Sequence, residues 1–116
     1  MSTEQFLNQL RNEPNAIDFE DTMAAIDGGY DFSPTAFKNG DVENKENQNN
    51  GSCKIFAFAQ LNSLNADETL ACFGRYYRDD VMKNPEGDDH RNIRNFMQYG
   101  WMGVEFDGTA LTPKAA

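Results

Sequence analysis

Basic residues are scarce in this sequence: 10 lysines and arginines stand against 19 aspartates and glutamates, a net charge of −9. A field of that sign repels phosphate backbones and anionic lipid heads, so nucleic acid and membrane surfaces are poor partners. Long apolar runs are missing as well. Nothing approaches the roughly 20 residues needed to cross a bilayer, and no basic start leads into the apolar stretch of a secretory signal, so passage through the general secretory route is not expected. There are only two cysteines. Cys53 in CKIFAFA and Cys72 in LACFGRYY sit in apolar helical contexts that suit reduced, buried thiols better than a disulfide. With a single histidine, no pair of strong ligands falls at a structural zinc spacing, and GDDH lacks the alternate acidic positions of a calcium loop. No metal or cofactor is therefore expected.

Aromatic side chains, by contrast, are plentiful, with nine Phe and four Tyr among 116 residues. That apolar volume is enough to offset the entropy lost on folding, and the length suits one core, so residues 1–116 are expected to form a single domain.

Helical spacing dominates. Ser2 with Gln5 reads as a capped start for Phe6, Leu7 and Leu10, ended by Pro14. Asp18 caps a second run through Phe19, Met23, Ile26 and Tyr30. Cys53, Phe56, Ala57, Gln60, Leu61 and Leu64 make a third, and Asn65 with Glu68 opens a fourth. That fourth helix carries Leu70, Phe73, Tyr77 and Val81 on one stripe up to Pro85, which predicts the longest helix of the chain. Asp88 and Asp89 are expected to cap a fifth with Ile93, Phe96 and Met97 on its buried face.

Between the helices, a brief strand near Ala36 and Phe37 leads to an Asn39-Gly40 turn, and NGDVENKENQNNGS (39–52) reads as an exposed polar loop. Asp107-Gly108 between two short β-compatible runs predicts a C-terminal hairpin. The fold class is α+β, mostly α, with about five helices around one core and a short C-terminal β-hairpin or small sheet.

The sharpest chemical signal is QNNGSCKIFAF, which puts Cys53 in the first turn of a helix, where the helix dipole lowers a thiol pKa. Papain-type peptidases use a comparable arrangement, although their paired cysteines are absent here. His90 in GDDHRN is the one available base, with Asp88 as orienting group, so a thiol hydrolase or transferase is one reading. Packing for Cys53 and capping for Asp88 and His90 is the bland alternative. The leading reading is a non-catalytic intracellular module that binds an unidentified protein or small molecule. Its polar surface would draw on Asn49, Asn50, Ser52, Asp89, Arg91 and Arg94, near two helix starts whose backbone N–H groups are free to bind. A third reading pairs two copies of the chain through an exposed aromatic stripe.

Taken together, DTMAAIDGGYDFSPTAFKNGD, NNGSCKIFAFAQL, TLACFGRYYRDDV, GDDHRNIRNFMQYGW and the closing LTPK resemble the HopJ-type type III effector family of small bacterial proteins. The resemblance runs nearly end to end. It implies a one-domain bacterial protein without an established biochemical activity, and no catalytic residue carries over from it. The family name came from a proposed effector delivered by plant pathogens into host cells. Members are also widespread in bacteria that do not infect plants, which together with Glu4, Glu13, Asp18, Glu20 and Asp21 near the start favours the bacterial cytoplasm over injection into a host.

Overall fold

The structure is a computed structural model that describes residues 2–114. Helix α1 (Thr3–Asn12) begins at a complete capping box: the Ser2 hydroxyl accepts from the Gln5 N–H at 3.1 Å while the Gln5 side chain accepts from the Ser2 N–H at 2.9 Å. It seats Phe6 and Leu10 in the core before Pro14 turns the chain through a 3₁₀ turn. Helix α2 (Phe19–Gly29) runs directly into strand β1 (Tyr30–Phe32). Strands β2 (Phe37–Asn39) and β3 (Val42–Asn44) form a hairpin in which Asn39 pairs with Val42. Gly40 takes φ +63° in that turn, and a Cβ there would overlap the Tyr99 ring, so glycine is required twice over.

Helix α3 (Asn50–Leu61) is the central element, burying Cys53, Ile55, Phe56, Ala57, Phe58 and Ala59. Phe56 touches four other rings, those of Phe37, Phe73, Phe96 and Trp101, at centroid distances of 5.1–6.2 Å. Helices α4 (Ala66–Ala71) and α5 (Arg91–Tyr99) pack around it, joined by a π-helical stretch at Tyr76–Val81. After a 3₁₀ turn at Gly100–Gly103, strands β4 (Val104–Phe106) and β5 (Leu111–Pro113) close the chain. The fold is α+β and mostly α, with small antiparallel sheets.

Four local expectations are corrected. The long fourth helix does not form: α4 stops at Ala71, and Gly74 at φ +61° breaks the axis. There the backbone lies so close to Asp18 and Phe19 that a Cβ would come within 2.6 Å of their main chain, and the Arg75 N–H donates to the Asp18 carboxylate at 3.0 Å. A tertiary contact overrides the continuous stripe. The tail forms no hairpin either: β4 joins β2, whereas β5 joins β1 in a separate two-stranded sheet, so Asp107-Gly108 spans two sheets. Segment 39–52 is an exposed loop only at 45–49; Asn39 and Asn44 are buried in strands and α3 starts at Asn50. Finally, α5 is capped by neither aspartate. Its N-cap is His90, and Asp89 instead accepts from the Arg94 guanidinium at 2.6 Å.

Candidate functional site

Two helix starts, remote in sequence, meet at one place. The N-cap of α3 is Asn49 at φ 54°, and that of α5 is His90 at φ 48°; both lie in the left-handed region and neither side chain caps its helix. Asn and His are among the residues that tolerate this conformation best. Hydrogen bonding inside the helices begins only at Cys53, whose N–H donates to the Asn49 carbonyl, and at Ile93 and Arg94, which donate to the His90 carbonyl. The preceding first-turn amides, Asn50 to Ser52 in α3 and Arg91 to Asn92 in α5, have no partner inside their helices.

An asparagine lattice fixes the two starts relative to each other. Asn92, in the first turn of α5, accepts from Asn39 and Asn44 at 3.1 Å each and donates to Asn44 at 2.9 Å. Asn49, at the start of α3, donates to the same Asn44 oxygen at 2.7 Å. Asn39 also donates to the Asn92 carbonyl at 2.7 Å. The β2–β3 hairpin is thereby stitched to both helices. Because Asn39, Asn44 and Asn92 are buried, these bonds are made where water cannot replace them.

Between the two starts lies a cleft of about 230 Å³ lined by Phe19, Phe73, Tyr76 and residues Asn49, Gly51, Ser52 and His90 to Ile93. Its apolar wall is aromatic. Phe19 meets Tyr76 edge-on at 5.2 Å, and the His90 ring stacks against Tyr76, also at 5.2 Å with planes 29° apart. Gly51 lets that wall approach, because a Cβ there would lie 2.7 Å from the Phe19 ring. Tyr76 opens the π-helical stretch, an irregularity often found at functional sites. His90 Nε2 sits 3.0 Å from Asp80, which fixes the ring's other edge.

The expected site residues divide sharply. Asn49, Ser52, His90 and Arg91 line the cleft, and Asn50 is the first residue of α3 beside them. Cys53 does not line it: the residue is 1% exposed, and its thiol lies 3.5 Å from the Thr35 carbonyl oxygen and has its pKa raised by burial. Asp88 is exposed, and the carboxylate against His90 is Asp80. Asp89 lies 4.0 Å from His90 but is bound by Arg94, which holds its carboxyl below the usual range. Arg94 is itself spent on the 84–89 loop, donating to the Asn84 and Asp89 carbonyls. Among the described residues no group of three or more His, Cys, Asp or Glu is placed to hold a metal.

Sequence reasoning missed Asp80, Phe19, Asn39 and Asn44. The signal for the asparagines was present but inverted, since a high Asn content between 39 and 50 reads as loop when each amide is counted as solvated.

The solved structure of an unknown-function protein, VPA0580, superposes with a TM-score of 0.97 at 57% sequence identity, covering 98% of this chain and 95% of that one. No curated protein matches the chain. A family profile described as HopJ type III effector protein matches residues 3–111, nearly the whole length. The chain belongs to the HopJ type III effector family.

Proposed function

We propose that this HopJ-family protein is a binding module whose cleft between the starts of α3 and α5 takes a small molecule, and that it carries no thiol chemistry. One observation supports the reading above others: residues from four separate segments, Phe19, Asn49 to Ser52, Phe73 with Tyr76, and His90 to Ile93, converge on a single cleft. An aromatic wall there faces two helix starts whose amides no side chain of the N-cap satisfies. Concave apolar surface with a few convergent polar groups is the usual form of a ligand site. The buried Cys53, turned to the Thr35 carbonyl, speaks against the thiol reading.

A fragment screen read on the ¹⁵N-labelled protein tests it. The expected result is that hits shift the amides of Gly51, Ser52, Arg91 and Asn92 together. Hits that cluster on another face, or a library of single-ring fragments that moves none of these amides, would overturn the reading.

A further inference from the structure

The charge arrangement around the cleft is unlike that of the rest of the molecule. The chain's arginines are almost all committed: Arg11 to Glu68 at 3.5 Å, Arg75 to Glu20 at 2.5 Å, Arg78 to Asp18 at 3.3 Å and Arg94 to Asp89 at 2.6 Å. Arg91 alone among the arginines of the described residues has no carboxylate within 4.0 Å and makes no hydrogen bond, although acids outnumber bases 19 to 10. Arg91 is one of the residues lining the cleft, and none of its five side-chain N–H donors has an acceptor among the described residues.

Its position adds to this. Arg91 is the first residue of α5, where the helix dipole disfavours a cation and favours an anion. The first turns of α1, α2 and α4 carry the expected acids: Glu4, then Glu20 and Asp21, then Asp67 and Glu68. The first turns of α3 and α5 carry none. Acids are thus absent from the starts of α3 and α5 at the cleft, and an arginine takes the place of one; at the start of α2, whose Phe19 also lines the cleft, Glu20 is paired with Arg75 and Asp21 accepts from the Asp18 N–H. The nearby carboxylates do not compete for Arg91, because Asp80 faces His90 and Asp89 is held by Arg94.

The other wall sets the rest of the ligand. Phe19, Phe73 and Tyr76 offer apolar ring surface, and about 230 Å³ is below the roughly 300–1,000 Å³ of sites for drug-sized molecules. We infer that the cleft binds a small aromatic anion, a single ring bearing a carboxylate or phosphate, with the ring against Phe19 and Tyr76 and the anionic group on Arg91 and the open amides. This rests on the binding-module reading above and specifies its ligand class. A bidentate guanidinium pair gives the contact both charge and orientation.

The test titrates the ¹⁵N-labelled protein at pH 7.5 with four probes: benzoate, phenyl phosphate, neutral benzyl alcohol and inorganic phosphate. Benzoate or phenyl phosphate should bind at least tenfold more tightly than benzyl alcohol and than inorganic phosphate, shifting the amides of Gly51, Ser52, Arg91 and Asn92. Arg91→Ala should weaken that anion at least tenfold while leaving benzyl alcohol unchanged. Arg91 is exposed and unbonded, so its removal leaves the fold intact, which the unchanged spectrum of the free variant verifies. Benzyl alcohol binding as well as the ring anions, or Arg91→Ala leaving them unaffected, would overturn the anion while the cleft reading stands. Inorganic phosphate binding as tightly as phenyl phosphate would overturn the aromatic part. If no probe moves the cleft amides, the inference and the binding-module reading fall together.

Discussion

Two kinds of helix start coexist in this molecule. Those of α1 and α4 are closed by reciprocal capping boxes, Ser2 with Gln5 and Asn65 with Glu68, and at α2 the Asp21 carboxylate reaches back to the Asp18 N–H at 2.9 Å. Those of α3 and α5 enter through left-handed residues, have no side-chain cap and lack first-turn acids. The starts of α1 and α4 are closed within their own first turns, whereas that of α2 also binds Arg75 and Arg78 through Asp18 and sets Phe19 in the cleft wall. The open starts get their support from outside, through the asparagine lattice, and both face the cleft. A helix start costs stability when its N–H groups go unsatisfied, so leaving two of them open at one shared cleft marks that place as reserved for something other than local stability.

The largest expected effect concerns Cys53, which directly follows cleft-lining Ser52. If the open start of α3 served the thiol, its pKa would fall; instead burial raises Cys53, and burial reinforced by the charge of Glu68 pushes Cys72 up to about 12 from 9.0. For Cys72 that lowers the thiolate fraction about a thousandfold. Reaction with a disulfide reagent at pH 8 should therefore leave both cysteines unmodified in the folded protein, and both should react rapidly in urea. Fast modification of folded Cys53 would place the thiol back among the groups served by the open start.

Next in size is the lattice. Asn92→Ala removes three side-chain hydrogen bonds and leaves the buried amides of Asn39 and Asn44 short of partners, at a cost of about 2–3 kcal/mol. Asn65→Ala, which opens one of the closed starts, should cost about 1 kcal/mol. Urea unfolding of the two variants side by side measures the contrast. Equal losses would mean that the lattice contributes no more than an ordinary cap.

The closed starts were legible in the sequence because a capping box is written within four residues, as at Ser2, Asp18 and Asn65. The open starts were legible only as polar positions, and the lattice that ties them together depends on Asn44, bonded to Asn49 nearby and to Asn92 across 48 positions. The break at Gly74 was hidden for the same reason. An apolar stripe through Phe73 and Tyr77 is compatible with a continuous helix, and only the close passage over Asp18 and Phe19 forbids it. In the tail, β-propensity identified the strands around Asp107-Gly108 while their partners, β2 and β1, were already waiting elsewhere. Of the candidate site, Asn49, Ser52, His90 and Arg91 were found from the helix-start pattern. Asp80 was missed because nothing local ties a mid-helix aspartate to a histidine ten residues on.

The smallest effect belongs to the closed start of α2, where Glu20 in the first turn pairs with Arg75 through two hydrogen bonds at 2.9 and 2.5 Å. The arginine's hydrogen bonds hold the Glu20 carboxyl down to about 2 against an ordinary 4.5. The folded pKa is below the unfolded one, so the unfolded chain binds the proton first as acid is added. The stabilisation is complete above about pH 4.5 and is lost as pH falls toward about 2. Both groups are solvent-exposed, so screening keeps the effect small, and salt should shrink it further. Urea midpoints of the wild type and Glu20→Gln should differ at pH 7 and converge near pH 2, with a smaller gap at pH 7 in 1 M salt. A gap that persists at pH 2 would show that Glu20 acts through packing of its side chain against Arg75, and the difference between closed and open starts would then owe less to first-turn charge than the acids of α1, α2 and α4 suggest.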